Sequence, residues 1–215
     1  MIVYTPPPDT GIPVIFADDA LIVADKPAGL LSVPGRGPER ADCLVSRLQR
    51  DYPDALTVHR LDMSTSGLLV LARGEEMHRR LSKLFRDRLV DKRYVAVVAG
   101  LVEADSGEID LPLIVDWPNR PRQMVDHTIG KPSLTRFRVL ERNSESNTTR
   151  VELEPWTGRS HQLRVHMASL GHPILGDELY GDESSAPRLL LHALTLAFPH
   201  PLTGETVNFR ADAEF

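Results

Sequence analysis

Cysteine is almost missing from this chain of 215 residues: Cys43 stands alone. A single cysteine closes no internal disulfide and builds no cysteine-based zinc site, and such usage suits a reducing compartment. Long apolar runs are missing too. The longest clear one, Leu68-Leu69-Val70-Leu71-Ala72, falls well short of the roughly 18 residues that a membrane span needs. The start, Met1-Ile2-Val3-Tyr4-Thr5-Pro6-Pro7-Pro8, has neither a basic region nor a long hydrophobic stretch. No secretory signal is visible there, and a cytoplasmic location is expected. Internal repeats and low-complexity tracts are absent beyond the three prolines, which read as a loose lead. An excess of positive charge is lacking as well: the net charge is −5, which weighs against a general nucleic-acid binder.

What is present is ordinary for a folded protein. Hydrophobic residues make up 41% and charged residues 26%, values that exclude a disordered or collagen-like chain. The length supports a substantial core in one domain or two small ones. Val14-Ile15-Phe16 and Leu21-Ile22-Val23, split by Asp18-Asp19, predict a hairpin. Asp42 to Tyr52 predicts a short helix capped by Asp42, with Leu44 and Leu48 on one face. Gly67 to Ala72 predicts a strand buried on both faces. Glu75 to Arg88 predicts an amphipathic helix with Met77, Leu81, Leu84 and Phe85 inward. Further strands are expected over Tyr94–Ala99, Phe137–Leu140, Arg150–Glu154, Leu189–Phe198 and Thr206–Phe209. A helix capped by Ser160 is expected to run to about Leu170 and stop at Gly171. The class is α+β with a mixed, mainly antiparallel sheet flanked by helices.

The charge is uneven. Residues 73–93 carry eight basic and four acidic side chains, and residues 117–138 carry five basic and one acidic. Each block has a local balance of +4 inside an acidic protein. Such blocks build either a solvated face or a phosphate-binding surface. Val58-His59-Arg60-Leu61-Asp62-Met63-Ser64-Thr65-Ser66-Gly67 sets an Arg and an Asp around a Leu just before the buried strand, and loops at strand ends are where sites are built. On residue chemistry alone the pair is equally a structural ion pair or a turn. His161, His166 and His172 are spaced by five and six, not by the i, i+4 spacing of a helical zinc motif, and no metal is expected. Cys43 has no local His beside it to activate it as a nucleophile.

Taken in order, these segments resemble the RluA family of RNA pseudouridine synthases. His59-Arg60-Leu61-Asp62 with Thr65-Ser66-Gly67-Leu68-Leu69-Val70-Leu71-Ala72 is similar to the family signature. Lys26-Pro27-Ala28-Gly29-Leu30 is similar to its entry segment, and Lys92-Arg93-Tyr94-Val95-Ala96 to the strand bearing its active-site Tyr. Gly158-Arg159-Ser160-His161-Gln162-Leu163-Arg164-Val165-His166, continuing through Gly171-His172-Pro173-Ile174-Leu175-Gly176-Asp177, resembles its third motif. Arg188-Leu189-Leu190-Leu191-His192-Ala193 resembles the closing strand. Asp116-Trp117-Pro118-Asn119-Arg120-Pro121 with Gly130-Lys131-Pro132 is similar to the short members that lack an S4-like RNA-binding domain.

The resemblance implies one pseudouridine synthase catalytic domain over 12–215, preceded by a lead over 1–11 and without an S4-like domain. It implies isomerisation of uridine in structured RNA, namely 23S rRNA and tRNA anticodon stem-loops, with no cofactor and no obligate protein partner. Asp62 takes the role of the essential carboxylate, as nucleophile or as base on the sugar. Tyr94 lies against the base, and Arg164 pairs with the catalytic Asp and keeps it ionised. Arg60 fills the space left by the flipped nucleotide. The expected RNA-binding set is Arg60, His59, Arg120, Arg122, Arg159, His161 and Gln162, of which His161 and Gln162 either support the site or contact RNA. A non-catalytic RNA binder and a hydrolase using Asp62 and a His are the alternatives; a hydrolase releases free uracil.

Overall fold

The structure, a computed structural model, describes residues 4–215. In chain order it contains β1 (Val14–Ala17), β2 (Leu21–Lys26), α1 (Leu44–Leu48), β3 (Ala55–Thr57), β4 (Ser66–Arg73), α2 (Gly74–Arg86), β5 (Asp91–Ala99), β6 (Ser106–Asp110), β7 (Leu113–Val115), β8 (Gln123–Val125), β9 (Leu134–Asn143), β10 (Thr148–Pro155), α3 (Gln162–Ser169), β11 (Leu191–Pro199) and β12 (Thr206–Arg210). Pairing is mainly antiparallel, while β11 runs parallel to β4. This is the expected α+β class. The chain divides into two compact units, one holding the chain up to Lys92 together with His192–Glu214, the other holding Arg93–Leu191 and Phe215.

In the first unit the strand order is β1-β2-β4-β11, with β12 beside β11 and β3 beside β4. Strand β4 is buried from Ser66 to Ala72, which is why its sequence is continuously apolar rather than alternating. Leu68, Val70 and Ala72 meet Met77 and Leu81 of α2 and Leu196 and Phe198 of β11. Each such Leu contributes about 1.5–3 kcal/mol by leaving water. Helix α2 begins with Glu75 and Glu76 and ends with Lys83 and Arg86, an arrangement that complements its dipole. Where β4 starts, Gly67 has φ +107°, and a Cβ there would lie 2.4 Å from the Ala193 carbonyl oxygen. Only glycine permits both that backbone angle and the close approach of β11.

The second unit is built on the antiparallel order β5-β10-β9-β6, with β7 and β8 forming a separate two-stranded sheet. Strand β10 alternates between buried and half-buried residues, the period of a sheet with one face in the core. Val151 and Leu153 of β10 join Ala96 and Val98 of β5, Phe137 of β9, and Leu163 and Met167 of α3 in one core.

Three local expectations need correction. Helix α1 is capped by Cys43, whose Sγ accepts from the Ser46 amide. The Asp42 carboxylate is taken by Arg47 instead, at 2.8 Å from both Nε and Nη2, and the helix ends at Leu48 rather than Tyr52. Helix α3 is preceded by His161 in the left-handed region, φ 54°, not capped by Ser160; its stop at Gly171, φ +82°, is as expected. Of the lead over 1–11, residues 1–3 lie outside the described residues. The rest is tied down rather than loose: the Tyr4 hydroxyl donates to the Asp42 carbonyl and accepts from the Leu31 amide, and Arg47 donates to the Pro7 and Pro8 carbonyls. Among the described residues no helix is long and apolar enough to cross a membrane.

Candidate active site

Asp62 sits half-buried in the loop between β3 and β4 of the first unit, and its neighbours on both sides are anchored. On one side Ser32 Oγ donates to the Leu61 carbonyl at 2.7 Å and accepts from the Leu61 amide at 3.1 Å. On the other side the Met63 carbonyl accepts from the Gly29 amide at 2.9 Å and from Lys26 Nζ at 3.0 Å. A one-turn bond from the Thr65 amide to the Asp62 carbonyl closes the loop. The Asp62 backbone is therefore bracketed, and its side chain is presented from a fixed position.

Lys26 is the least expected part of this bracket. It is wholly buried at the end of β2, and its ammonium spends its three N–H groups on the carbonyls of Pro27, Leu30 and Met63 at 2.9, 2.7 and 3.0 Å. Burial pushes its pKa down to about 7, while the charges of Asp62 and Asp25 pull it back up. Sequence reasoning placed this lysine in a resembling segment without giving it a role; a charge at the end of an apolar strand was the available signal.

His59 is also committed. Its Nε2 accepts from the Val70 amide at 3.0 Å, one rung beyond the Thr57–Leu71 pair that ends β3 against β4, and its ring stacks on Phe85 with centroids 4.4 Å apart. Burial, with Lys92 nearby, pushes its pKa down to about 3, so the ring is neutral and Nδ1 carries the proton. Arg60, next in sequence, is exposed. Below the loop, His192 Nε2 contacts the Ala211 carbonyl at 2.9 Å and so is the protonated nitrogen, leaving Nδ1 to accept from Ser66 Oγ at 2.9 Å.

The second unit carries the other expected residues. Tyr94 lies on β5 with its ring packed on the unit's core. Arg164, on α3, is 2% exposed and makes a two-pronged pair with the fully buried Asp177 at 2.8 and 2.6 Å, joined by Glu178 at 3.2 Å. Desolvation raises the Asp177 pKa, but Arg164 and the amides of Leu179 and Tyr180 outweigh it and hold the group below the usual carboxylate range. Gln162 is 3% exposed. Its amide NH2 donates to the Leu134 carbonyl and Thr135 Oγ1, and its Oε1 accepts from Thr157 Oγ1 and the Arg159 amide. It clamps three segments together. Arg159 is exposed, its Nε 3.3 Å from the Pro132 carbonyl.

Tyr180 is a hub that sequence reasoning missed. Its hydroxyl accepts from the Gln123 amide at 2.7 Å and lies 2.7 Å from His161 Nδ1. Arg122 and Arg164 both lie over its ring, at 5.3 Å. An isolated Tyr after a Gly-Asp turn gives no periodic signal, so nothing in the sequence marks it.

In both basic blocks some cations are paired and others, among the described residues, are not. In the first, Arg73 pairs with Asp54, Arg80 with Glu76, and Lys83 and Arg86 with Asp87, while Arg93 pairs with Glu154. In the second, Arg136 and Arg138 pair with Glu108 and Glu152. Among the described residues Arg120 and Arg122 enter no ion pair. They face aromatic rings instead, Arg120 over Trp117 at 4.2 Å and Arg122 over Tyr180 at 5.3 Å.

Comparisons with known proteins show what the chain is similar to. Residues 20–169 match the family model described as RNA pseudouridylate synthase. The chain is 51% identical to the dual-specificity RNA pseudouridine synthase RluA of Escherichia coli K12, covering 99% of this chain and 98% of that protein. It is 56% identical to the protein of the same description from Vibrio vulnificus, covering 94% and 83%. Among solved structures it is similar to human RNA pseudouridylate synthase domain containing 1, with a TM-score of 0.81 and 29% identity over 98% of this chain and 87% of that one.

Proposed function

The chain belongs to the RNA pseudouridylate synthase family, with relatives of the RluA type that convert uridine to pseudouridine in RNA, and we propose that Asp62 is the carboxylate that performs this isomerisation here. The observation that carries the reading is the bracket around Asp62: Ser32 fixes the residue before it, and Lys26 with Gly29 fixes the residue after it. A group that attacks, or takes a proton from, the sugar must be positioned to within a fraction of an ångström of the productive geometry.

In the reaction the C1′–N1 bond breaks, the base turns, and C1′ joins C5. N1 gains a proton and C5 loses one, so nothing is oxidised and no outside group enters. Asp62 acts as nucleophile at the sugar carbon or as base on the sugar. Tyr94 holds the detached base and relays the C5 proton, and Arg164, pre-set by Asp177, supplies positive charge. Arg60, exposed beside the bracket, enters the RNA stack where the target nucleotide leaves it. Arg120, Arg122 and Arg159 grip phosphate. His59, His161 and Gln162 we assign to holding this machinery, because the ring of His59 and the amide of Gln162 are spent on backbone groups and His161 is tied to Tyr180. The segment over 12–215 works as one cytoplasmic catalytic domain. The dual specificity of its relatives extends to this chain as action on both 23S rRNA and tRNA anticodon stem-loops, without an obligate protein partner.

The test is release of tritium from RNA labelled at C5 of uridine. Purified protein is expected to release tritium stoichiometrically with pseudouridine and to leave RNA mass and chain length unchanged. Appearance of free uracil would replace the isomerase with a hydrolase.

A further inference from the structure

Among the described residues Trp117 is, after Ile129, the most exposed large apolar residue, with 63% of its surface open. Tryptophan is scarce here, two in all, and this indole lies open to solvent. The turn that carries it is not slack. The Asp116 amide donates to the Arg122 carbonyl, the Asn119 amide to Asp116 and the Arg122 amide to Asn119, and Asn119 Nδ2 donates to the Asp116 carboxylate at 2.9 Å. Arg120 folds back over the indole at 4.2 Å while its Nε donates to the Trp117 carbonyl at 3.2 Å.

The other tryptophan shows what is distinctive. Trp156 also has an arginine over it, Arg136 at 5.2 Å, but that cation is neutralised by Glu108 at 2.7 Å. Arg120 is in no ion pair among the described residues. The turn therefore presents a flat aromatic face backed by an unspent positive charge, the pairing with which proteins hold single-stranded nucleic acid. An acidic peptide would use the cation but leave the indole idle; a stacked base with its phosphate uses both.

We propose that Trp117, backed by Arg120, is a stacking platform for one unpaired base in the loop of the RNA substrate, outside the catalytic set. The assignment rests on the RNA-modifying reading above. Stacking adds affinity without releasing counterions, whereas the Arg120–phosphate contact releases one. The two halves of the platform are thus separable.

The experiment measures the affinity of the whole protein for a C5-tritiated tRNA anticodon stem-loop, for the same RNA with each loop nucleotide replaced in turn by an abasic one, and for a blunt duplex, across a series of salt concentrations, with tritium release followed alongside. Trp117→Ala is expected to weaken stem-loop binding about five- to 150-fold, the range for one stacked base, with the salt slope unchanged. One abasic RNA is expected to bind wild type and Trp117→Ala alike, identifying the base that stacks. Trp117→Phe is expected to retain most of the affinity, which guards against a merely misfolded alanine variant. Arg120→Ala is expected to flatten the salt slope by about 0.7–0.9. A loss equal on every abasic RNA and on the duplex, or no loss at all, overturns the platform. Wild-type binding without tritium release overturns the isomerase and leaves the platform standing; no wild-type binding overturns both.

Discussion

The loop around Asp62 and the turn around Trp117 solve opposite problems. In the loop, the residues on either side of the acid are tied to distant segments: Ser32 on Leu61, Lys26 and Gly29 on Met63, with His59 on Val70. In the turn, the hydrogen bonds are local and the side chains Trp117, Arg120 and Arg122 are exposed, Arg120 lying over Trp117 and Arg122 over Tyr180. Bond chemistry needs one group at one place, and the fold spends buried polar contacts to hold it there. Grip on a flexible polyanion needs reach and unspent charge, and long-range contacts would remove both.

The comparison breaks first at Gly67. Gly67→Ala places a Cβ against the Ala193 backbone at a φ of +107°, and strain and overlap together should cost about 4 kcal/mol, read as a lower urea midpoint or failure to fold. Lys26→Met keeps the volume but leaves the carbonyls of Pro27, Leu30 and Met63 without their donor. It should lose about 2–3 kcal/mol of stability and, in the folded fraction, lower the single-turnover rate while leaving RNA affinity intact. Arg120→Ala with Arg122→Ala should do the reverse, weakening affinity and flattening the slope of log K against log salt by about 0.7–0.9 for each phosphate no longer neutralised, with stability and the rate on saturated enzyme unchanged. An unchanged slope would return these residues to a solvated face.

The remaining effect, spread over a pH range, concerns His59. The unfolded chain protonates this residue near pH 6.5, whereas in the folded protein its pKa is about 3. Between those values the unfolded state binds the extra proton, so stability falls as pH drops through the window and is insensitive to this group above it. The slope is at most about 1.4 kcal/mol per pH unit. His59→Gln should remove that part of the slope, seen in urea melts from pH 7 to pH 4.

Much of this was legible in the sequence, for physical reasons that also explain the failures. Strand β4 announces itself because burial on both faces demands an unbroken apolar run, and α2 because one face packs Met77 and Leu81. Asp62 and the arginines were found through their neighbours in motifs, not through periodicity. Strands β3, β7 and β8 have three residues each, too few for an alternation to register. The cap of α1 departs from expectation because a competing partner takes the expected side chain: Arg47 holds Asp42, leaving Cys43 to cap the helix. The bracket by Lys26 and the hub at Tyr180 join residues far apart in the chain. Met63 is 37 positions from Lys26, and Gln123 is 57 from Tyr180, so no local pattern encodes them.

The central claim is that Asp62 carries the chemistry and not the grip. Asp62→Asn preserves the shape of the side chain and removes its charge. Measured side by side on one C5-labelled stem-loop RNA, the variant should bind with wild-type affinity and salt slope and release no tritium in a single turnover. Tritium release at a rate near that of wild type would contradict the account.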